Sequence, residues 1–426
     1  MDGPPPLGIE YVVDTANAFL LVLVSAVSFF VLLYSLKQLK HELDEDKHTL
    51  FYTCFLLCLT GLLGVLITGD IFNVFVFLEI SALSTYVLVA QGASRDRRAL
   101  TGAFNYLIMG TVGATFFVIG VGFLYMETGS LNMNDISQRL INGEPNKTIK
   151  AAYAFIVIGM GLKLAMFPLH LWLPNAYTYA PSVVTSFLAA TATKVSLYVL
   201  IRFTFSVFDP ESNFIVEIFK FLILPLAFVA MFGMSLVAIF QNDIKKMLAY
   251  SSVAQIGYML LGLGLLSSTG LQATLVNVFN HGITKATLFL ALGVFFIKYK
   301  SSFFDNLSGA GKTMPITSAA FVVGGLSLVG FPGTAGFVSK WLLVEAALDN
   351  GTYGIAFLVI LSSLFSVVYV WNVIENLYFG KQKITVAKEE VSYVILVPVW
   401  CLALACIFFG LNTELTLYFS EIAADS

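Results

Sequence analysis

Five ionisable residues lie deep inside apolar stretches of the sequence, where a charge is costly. They are one glutamate and four lysines, namely Glu79, Lys163, Lys194, Lys285 and Lys340. A charge at the centre of a bilayer costs about 2.5–3.5 kcal/mol on insertion scales. Because pairing or hydration must offset that cost, we expect these side chains to face an interior path for ions rather than lipid.

Glu79 and Lys163 are the pair whose chemistry is clearest. Glu79 lies nine residues after Asp70, which marks the outer edge of its stretch, and is therefore about 13 Å deeper. In a low dielectric, a carboxylate and an amine stabilise each other's charged forms when paired, and separation favours the neutral forms. The pair could thus hold and release a proton. A static ion pair that joins two helices is the alternative.

The other ionisable residues suit a proton relay. His281 and Lys285 are spaced i, i+4 and share one helix face, along which a proton could pass. A packing role is the alternative for the histidine. Lys194 lies among threonine and serine hydroxyls that could hold water. Lys340 would be the terminal site of the relay, on the far side of the membrane. Asp70 and His170 are the candidate accessory residues, and His170 suits either a relay or a capping role.

Composition places these residues in a membrane. The chain has 426 residues, of which 58% are hydrophobic and 12% are charged, about half the charged fraction of a soluble domain. Long apolar runs recur throughout, so we predict an all-α polytopic membrane protein with a single membrane domain, 1–426. The predicted spans are 16–36, 49–68, 71–91, 100–125, 150–168, 182–204, 216–240, 247–267, 272–297, 315–348, 354–377 and 392–411.

Two of these spans are predicted to be broken. Pro168 follows Lys163 by five residues, and Pro332 interrupts the long span 315–348. A proline inside a helix removes a backbone N–H and clashes with the preceding turn. The broken spans are the fifth and the tenth, and an offset of five helices implies opposite orientations, the pattern of an inverted repeat. The expected repeats are 49–204 and 216–377. The expected flanking helices are 16–36 and 392–411.

The basic residues predict the orientation. Of 23 lysines and arginines, fourteen lie on one set of alternate connections and five on the other. By the positive-inside rule the first set faces the cytoplasm, so we expect both termini on the outer side of the cell membrane. The fourteen are Lys37, Lys40, Lys47, Arg95, Arg97, Arg98, Lys245, Lys246, Lys298, Lys300, Lys312, Lys381, Lys383 and Lys388.

Five stretches of the sequence resemble the antiporter-like proton-translocating family. That family includes the D-type subunit of Mrp-type cation/proton antiporters, the large antiporter-like subunit of membrane-bound hydrogenases and the corresponding subunits of respiratory complex I. The first stretch leans toward the Mrp and hydrogenase branch. The stretches are TGDIFNVFVFLE at 68–79, 163–181 around the first break, DIKKMLAYSS at 243–252, NHGITKA at 280–286, and 330–340 around the second break.

The resemblance implies a fold and a set of roles. The family fold has two inverted five-helix repeats, in agreement with the prolines and charges. Family members usually have fourteen helices, so we expect this sequence to lack the first two, as well as the long C-terminal extension of the largest subunit type. The implied roles are the essential glutamate for Glu79, the lysine of the broken helix for Lys163, the connecting lysine for Lys194, the central relay for His281 and Lys285, and the exit-side residue for Lys340.

We therefore expect a proton-translocating subunit of a multi-subunit complex, most similar to the D-type subunit of an Mrp antiporter that exchanges sodium or another cation. One alternative is a proton- or sodium-pumping subunit of a complex I-like or hydrogenase-like complex, whose redox centres would lie in other subunits. Another is an inactive membrane scaffold. We find no catalytic triad, zinc spacing, haem motif or dinucleotide fingerprint, and expect no cofactor or metal. The expected partners are other membrane subunits and lipids, not nucleic acid.

Overall fold

The computed structural model describes residues 8–140, 145–384 and 390–425, so Lys388 lies outside the described residues. Within them the chain is helical, with three isolated β-bridges and no extended strand. The helices of the first half are α1 Thr15–Gln38, α2 His48–Ile67, α3 Ile71–Ala90, α4 Arg98–Thr128, α5 Met133–Leu140, α6 Lys147–Leu164, α7 Trp172–Tyr179, α8 Ser182–Ala190 and α9 Ala192–Arg202.

The second half continues the same architecture. One span, Asn213–Ile239, alternates α-helical and π-helical turns, and a third π-helical turn, Phe203–Val207, extends α9. The helices are α10 Asn213–Ile218, α11 Leu224–Val229, α12 Ser235–Ile239, α13 Ile244–Gly264, α14 Ser268–Tyr299, α15 Phe304–Leu307, α16 Pro315–Val329, α17 Ala335–Asp349, α18 Tyr353–Phe379, α19 Tyr393–Leu411 and α20 Glu414–Asp425.

The predicted all-α membrane architecture is confirmed. Ten helical spans in the described residues are long and apolar enough to cross a bilayer, or eleven if a bent pair around Pro315 is counted as one span. The ten coincide with ten of the twelve predicted spans. The remaining two are the broken ones: α6 carries three lysines over its 18 residues, and α16 and α17 have only 15 residues each.

Both interruptions contain the expected prolines. The helix α6 ends at Leu164, where Ala165 adopts a left-handed conformation with φ of 62°, and α7 begins at Trp172. The helix α16 ends at Val329, where the following Gly330 has φ of 86°, and α17 begins at Ala335. At such ends the last carbonyl groups have no helical partner and need other donors.

A third interruption was not predicted. The span 182–204 divides at Thr191, whose backbone torsions of −123° and −59° are not helical, so α8 and α9 are separate helices. No proline or glycine marks this position, and therefore nothing in the local sequence indicated it. The terminal helix α20, which packs against α1 and α14, was also missed.

The helix α14 lies at the centre of the protein. It packs against α1, α8, α13, α16, α17, α19 and α20, and nearly all of its residues between Gly270 and Phe295 are buried. The outer surface is apolar instead: on α18, the side chains of Phe357, Leu364 and Trp371 are more than half exposed. Polar groups therefore lie inside and apolar groups outside, as a bilayer requires.

The two halves of the second broken helix approach very closely at Gly336. A Cβ atom at this position would lie 1.8 Å from the carbonyl oxygen of Ser327, and backbone cannot rotate away. We expect Gly336→Ala to lower the free energy of unfolding by at least the roughly 1–3 kcal/mol typical of overpacking. Thermal unfolding of the detergent-solubilised complex measures the effect.

A glycine with free space provides the control for that prediction. Gly354, on α18, has no heavy atom within 4 Å of the position that a Cβ atom would occupy, and alanine is favoured over glycine in helices by about 1 kcal/mol. Gly354→Ala should therefore leave the melting temperature unchanged or slightly raised. Equal melting temperatures for the two variants would contradict close packing at Gly336.

Candidate functional site

Glu79 and Lys163 form an ion pair between two helices. The Nζ atom of Lys163 donates a hydrogen bond to Oε1 of Glu79 at 3.0 Å. Glu79 lies on α3, and Lys163 lies on the last turn of α6, directly before the first interruption. The lysine side chain is 7% exposed and the glutamate 25% exposed. The pair therefore joins a continuous helix to a broken one, at a point where the carboxylate reaches the protein surface.

Lysines also occupy the ends of the interrupted helices. Lys194 Nζ donates to the carbonyl oxygen of Ala189, in the last turn of α8. Lys340 Nζ donates at 2.6 Å to the carbonyl oxygen of Val329, the last residue of α16. Each interruption frees carbonyl groups, and a cation at a helix C-terminus also interacts favourably with the helix dipole. The breaks thus provide hydrogen-bond acceptors for these amines, which lipid does not.

Lys285 is held by a continuous helix. Its Nζ atom donates to the carbonyl oxygen of Leu248 at 2.8 Å and lies 2.5 Å from the hydroxyl of Ser251, both on α13. The side chain is fully buried. Lys194 lies close enough for charge–charge interaction with both Lys285 and His281. The side chain of Lys194, on α9, therefore lies in the neighbourhood of His281 and Lys285, on α14.

His281 continues this arrangement toward Lys340. Both of its ring nitrogens are buried and have no hydrogen-bond partner among the described residues. Between His281 and Lys340 lies a small cavity of about 10 Å³, whose wall also includes Gln255, Thr284 and Ser327. That volume is close to the space needed by one water molecule, and buried polar groups without partners are typical water sites. The lining allows one water to contact His281 and Lys340.

The second break also places hydroxyl and aromatic groups around Lys340. The Nζ atom lies 3.4 Å from the hydroxyl of Ser366 and 5.2 Å from the ring centroid of Tyr258. We call the six residues Glu79, Lys163, Lys194, His281, Lys285 and Lys340 the central row. In the structure Glu79 and Lys163 are in direct contact, and Lys194 lies in the neighbourhood of His281 and Lys285. His281 and Lys340 line the same cavity.

Comparison with known proteins assigns the family. A family model described as "NADH:quinone oxidoreductase/Mrp antiporter, TM" matches residues 68–366, about 70% of the chain, and includes the whole central row. The chain belongs to this family. The resemblance stated from the sequence is confirmed.

Members of both branches of the NADH:quinone oxidoreductase/Mrp antiporter family match the chain. NADH-quinone oxidoreductase subunit N of Desulforudis audaxviator is 42% identical over 375 residues, which cover 88% of this chain and 74% of that protein. The D-type subunit of the Na(+)/H(+) antiporter of Alkalihalophilus pseudofirmus is 29% identical over 423 residues, which cover 99% and 84%. A chain of the membrane-bound sulfane sulfur reductase, an archaeal respiratory membrane complex, is 30% identical with a TM-score of 0.90, covering 100% and 84%.

The two predicted accessory residues of this family member make no hydrogen bond or ion pair with the central row in the described part of the chain. Asp70 caps the N-terminus of α3 by accepting a hydrogen bond from the backbone N–H of Asn73 at 2.7 Å. Burial raises the pKa of Asp70, and the hydrogen bonds it accepts oppose that effect. His170 lies in the first interruption and stacks on Phe167, with ring centroids 5.3 Å apart. The geometry gives Asp70 a capping role.

Two buried charges were not recognised from the sequence. Lys245 was counted with the basic connections, yet its side chain is buried and donates to the carbonyl oxygen of Ala180. Glu42 was not considered, and its carboxylate is fully buried between helices. Both lie near helix ends, where sequence alone predicts solvent exposure. The one indication in the sequence was the stretch DIKKMLAYSS at 243–252. It is one of the stretches that resemble the family, but no role was assigned to it.

Proposed function

We propose that this chain is the proton-translocating, antiporter-like membrane subunit of a multi-subunit complex. The observation that carries the proposal is the central row itself: three lysines and a histidine buried inside an apolar helical protein and a fourth, partly buried lysine, with one ion pair at its start. An interior with this many ionisable groups is costly in lipid and is typical of ion and proton paths. The family and its antiporter and oxidoreductase relatives support the same function.

We assign the first step to the Glu79–Lys163 pair. While the pair is closed, the carboxylate stabilises the ammonium form of Lys163. Opening the pair removes that stabilisation, and the proton is then released from Lys163 toward Lys194. Because Lys163 lies on the last turn before a break, a small change at residues 165–171 would alter the distance to Glu79.

The remaining residues of the row form the relay. No carboxylate lies within ion-pair distance of Lys194, Lys285 or Lys340 in the described part of the chain. Cations in this low-dielectric interior repel one another, so a proton arriving at Lys194 or Lys285 favours release from its neighbour. We assign Lys194 as the connecting residue, His281 and Lys285 as the central relay, and Lys340 as the exit-side residue.

We propose the membrane orientation from the same charges that predicted it. The basic connections face the cytoplasm and both termini face outward across the cell membrane. The two inverted repeats are 49–204 and 216–377, each containing one broken helix, with 16–36 and 392–411 as flanking helices. In this arrangement each repeat has one lysine beside its break: Lys163 directly before the first break, and Lys340 shortly after the second.

Two forms of this function differ in the energy source that drives transport. In an Mrp-type antiporter, a gradient of sodium or another cation exchanges with protons. In a complex I-like or hydrogenase-like complex, electron transfer in other subunits drives the pump. The relative with 42% identity is named for an oxidoreductase, whereas relatives named as antiporters align along nearly the whole chain. Both forms use the same central row.

Reconstitution of the native complex into proteoliposomes tests the proposal. The complex is purified through a tag on this chain, and internal pH is followed after a sodium gradient is imposed or an electron donor is added. Sodium-dependent proton movement indicates an antiporter, and donor-dependent movement together with bound redox centres indicates a pump. Proton movement in neither assay, with an intact complex, would favour the scaffold alternative.

A further inference from the structure

A second group of charges lies at one end of the protein, apart from the central row. We call this end the basic face; it carries the connections 91–97, 240–243 and 300–314. A cavity of about 500 Å³ lies there, lined in part by Arg95, Asp96, Arg98, Tyr179, Asp243 and Lys300. Its volume is sufficient for many water molecules.

The charges that line this cavity are largely matched. Arg98 pairs with Asp96 at 2.6 Å, and Arg95 pairs with Glu42 at 3.3 Å. Because the guanidinium groups already have carboxylate partners, the cavity offers little excess charge for an anionic ligand. Water and protons are therefore the occupants that suit it.

Directly behind the cavity wall, Glu42 holds the joint between α7 and α8. Its carboxylate accepts hydrogen bonds from the backbone N–H of Ser182 at 2.5 Å and from the side chain of Gln38 at 3.0 Å. Ser182 is the first residue of α8, so the carboxylate lies at the positive end of that helix. Together with the guanidinium of Arg95, these partners hold the Glu42 carboxylate at the joint, which it positions.

Lys245 contacts the same joint from the other side. Its Nζ atom donates to the carbonyl oxygen of Ala180, the residue that ends α7, next to Tyr179 in the cavity wall. This is the only hydrogen bond in the described structure that the ammonium group makes, which leaves two of its three donors for water. The amine thus lies between the cavity and the interior.

Lys285, on α14, binds groups on the same helix that carries Lys245. Lys285 binds the carbonyl of Leu248 and the hydroxyl of Ser251, which are three and six residues beyond Lys245 on α13. At 1.5 Å per residue these positions are about 4.5 and 9 Å deeper. Both partners of Lys285 thus lie within two helical turns of Lys245 on α13.

We propose that Lys245 loads protons from the basic-face cavity onto the central row. The inference rests on the proposed function. Lys245 in its amine form takes a proton from cavity water, becomes an ammonium, and returns to the amine when that proton passes through intervening water to Lys285. The charged groups that face it are Glu42 from the end of α1, Arg95 from the connection before α4, and Asp243 at the start of its own helix. Glu42 is a positioning residue in this step.

Substitutions of Lys245 in the complete complex test the assignment. In inverted membrane vesicles the basic face is outward, and the initial rate of proton uptake is measured against external pH at fixed internal pH. We expect Lys245→Met to lower the rate at least about tenfold and to flatten its dependence on external pH, while leaving the dependence on internal pH unchanged. The neighbouring and less buried Lys246, changed to methionine, is the matched control.

Lys245→Arg separates loading from a structural role. Arginine keeps the charge and can still donate to the carbonyl of Ala180, but it does not release a proton in proteins. If Lys245 loads protons, the arginine variant must therefore also transport protons poorly. Full transport by either Lys245 variant would overturn the inference, whereas normal transport by Lys285→Met would overturn the proposed function instead.

Discussion

Lys163→Met is expected to abolish proton transport by the complex. The variant removes the amine that Glu79 pairs with at 3.0 Å, and a thioether cannot carry a proton. Loss of a positioned acid–base group typically costs about 10²–10⁴-fold in rate. We therefore expect the initial rate of proton movement in inverted vesicles to fall at least about a hundredfold. Glu79→Gln should have an effect of similar size, since it removes the group that controls the amine.

A double variant distinguishes transport from stability in this pair. Removing one partner of a fully buried pair costs about 3–5 kcal/mol, because the other charge is left unpaired. The cost here should be smaller, since a quarter of the Glu79 side chain is exposed. In Glu79→Gln with Lys163→Met no charge remains, so the melting temperature should recover toward that of the wild type. Transport should not recover. A double variant that regains transport would show that the pair only holds α3 and α6 together.

The parts of the fold that depend on local sequence could be predicted. Ten spans follow from continuous apolar runs, and both broken helices follow from Pro168 and Pro332 because proline acts on its own turn. The interruption at Thr191 could not be predicted in this way, since its sequence is compatible with a helix. Ala190 and Thr191 are fully buried in the structure, and contacts with distant parts of the chain are not visible in a single sequence.

The same distinction applies to the candidate site. The depth of Lys194 and Lys285 follows from their distance to the nearest span ends, whereas Lys163 and Lys340 lie beside the two breaks that Pro168 and Pro332 predict. Lys245 lies at the second position of its helix, where a long side chain normally reaches water. It is buried because the end of α7, from a distant part of the chain, packs over it and offers the carbonyl of Ala180. Burial that depends on a tertiary neighbour requires a structure.

Lys285→Met should block transport without weakening the fold. The lysine is fully buried and has no carboxylate partner among the described residues, so the protein gains little stability from its charge. Replacing buried charged groups by apolar ones of similar size is often neutral or stabilising by about 1–4 kcal/mol. The groups it contacts keep other bonds, because the hydroxyl of Ser251 also donates to the carbonyl of Leu248 at 2.9 Å. We expect an unchanged or higher melting temperature.

Lys285→Arg completes this test, because it retains the cation and removes the ability to release a proton. A lysine that serves only to join α13 and α14 would tolerate arginine and would lose stability with methionine. A relay lysine gives the reverse pattern: both variants lose proton transport by about a hundredfold or more, and methionine leaves the melting temperature intact. Lys312→Met, at an exposed position shortly before α16, should leave both quantities at wild-type values. Transport rate and melting temperature measured on the same membranes therefore separate a proton carrier from a structural cation.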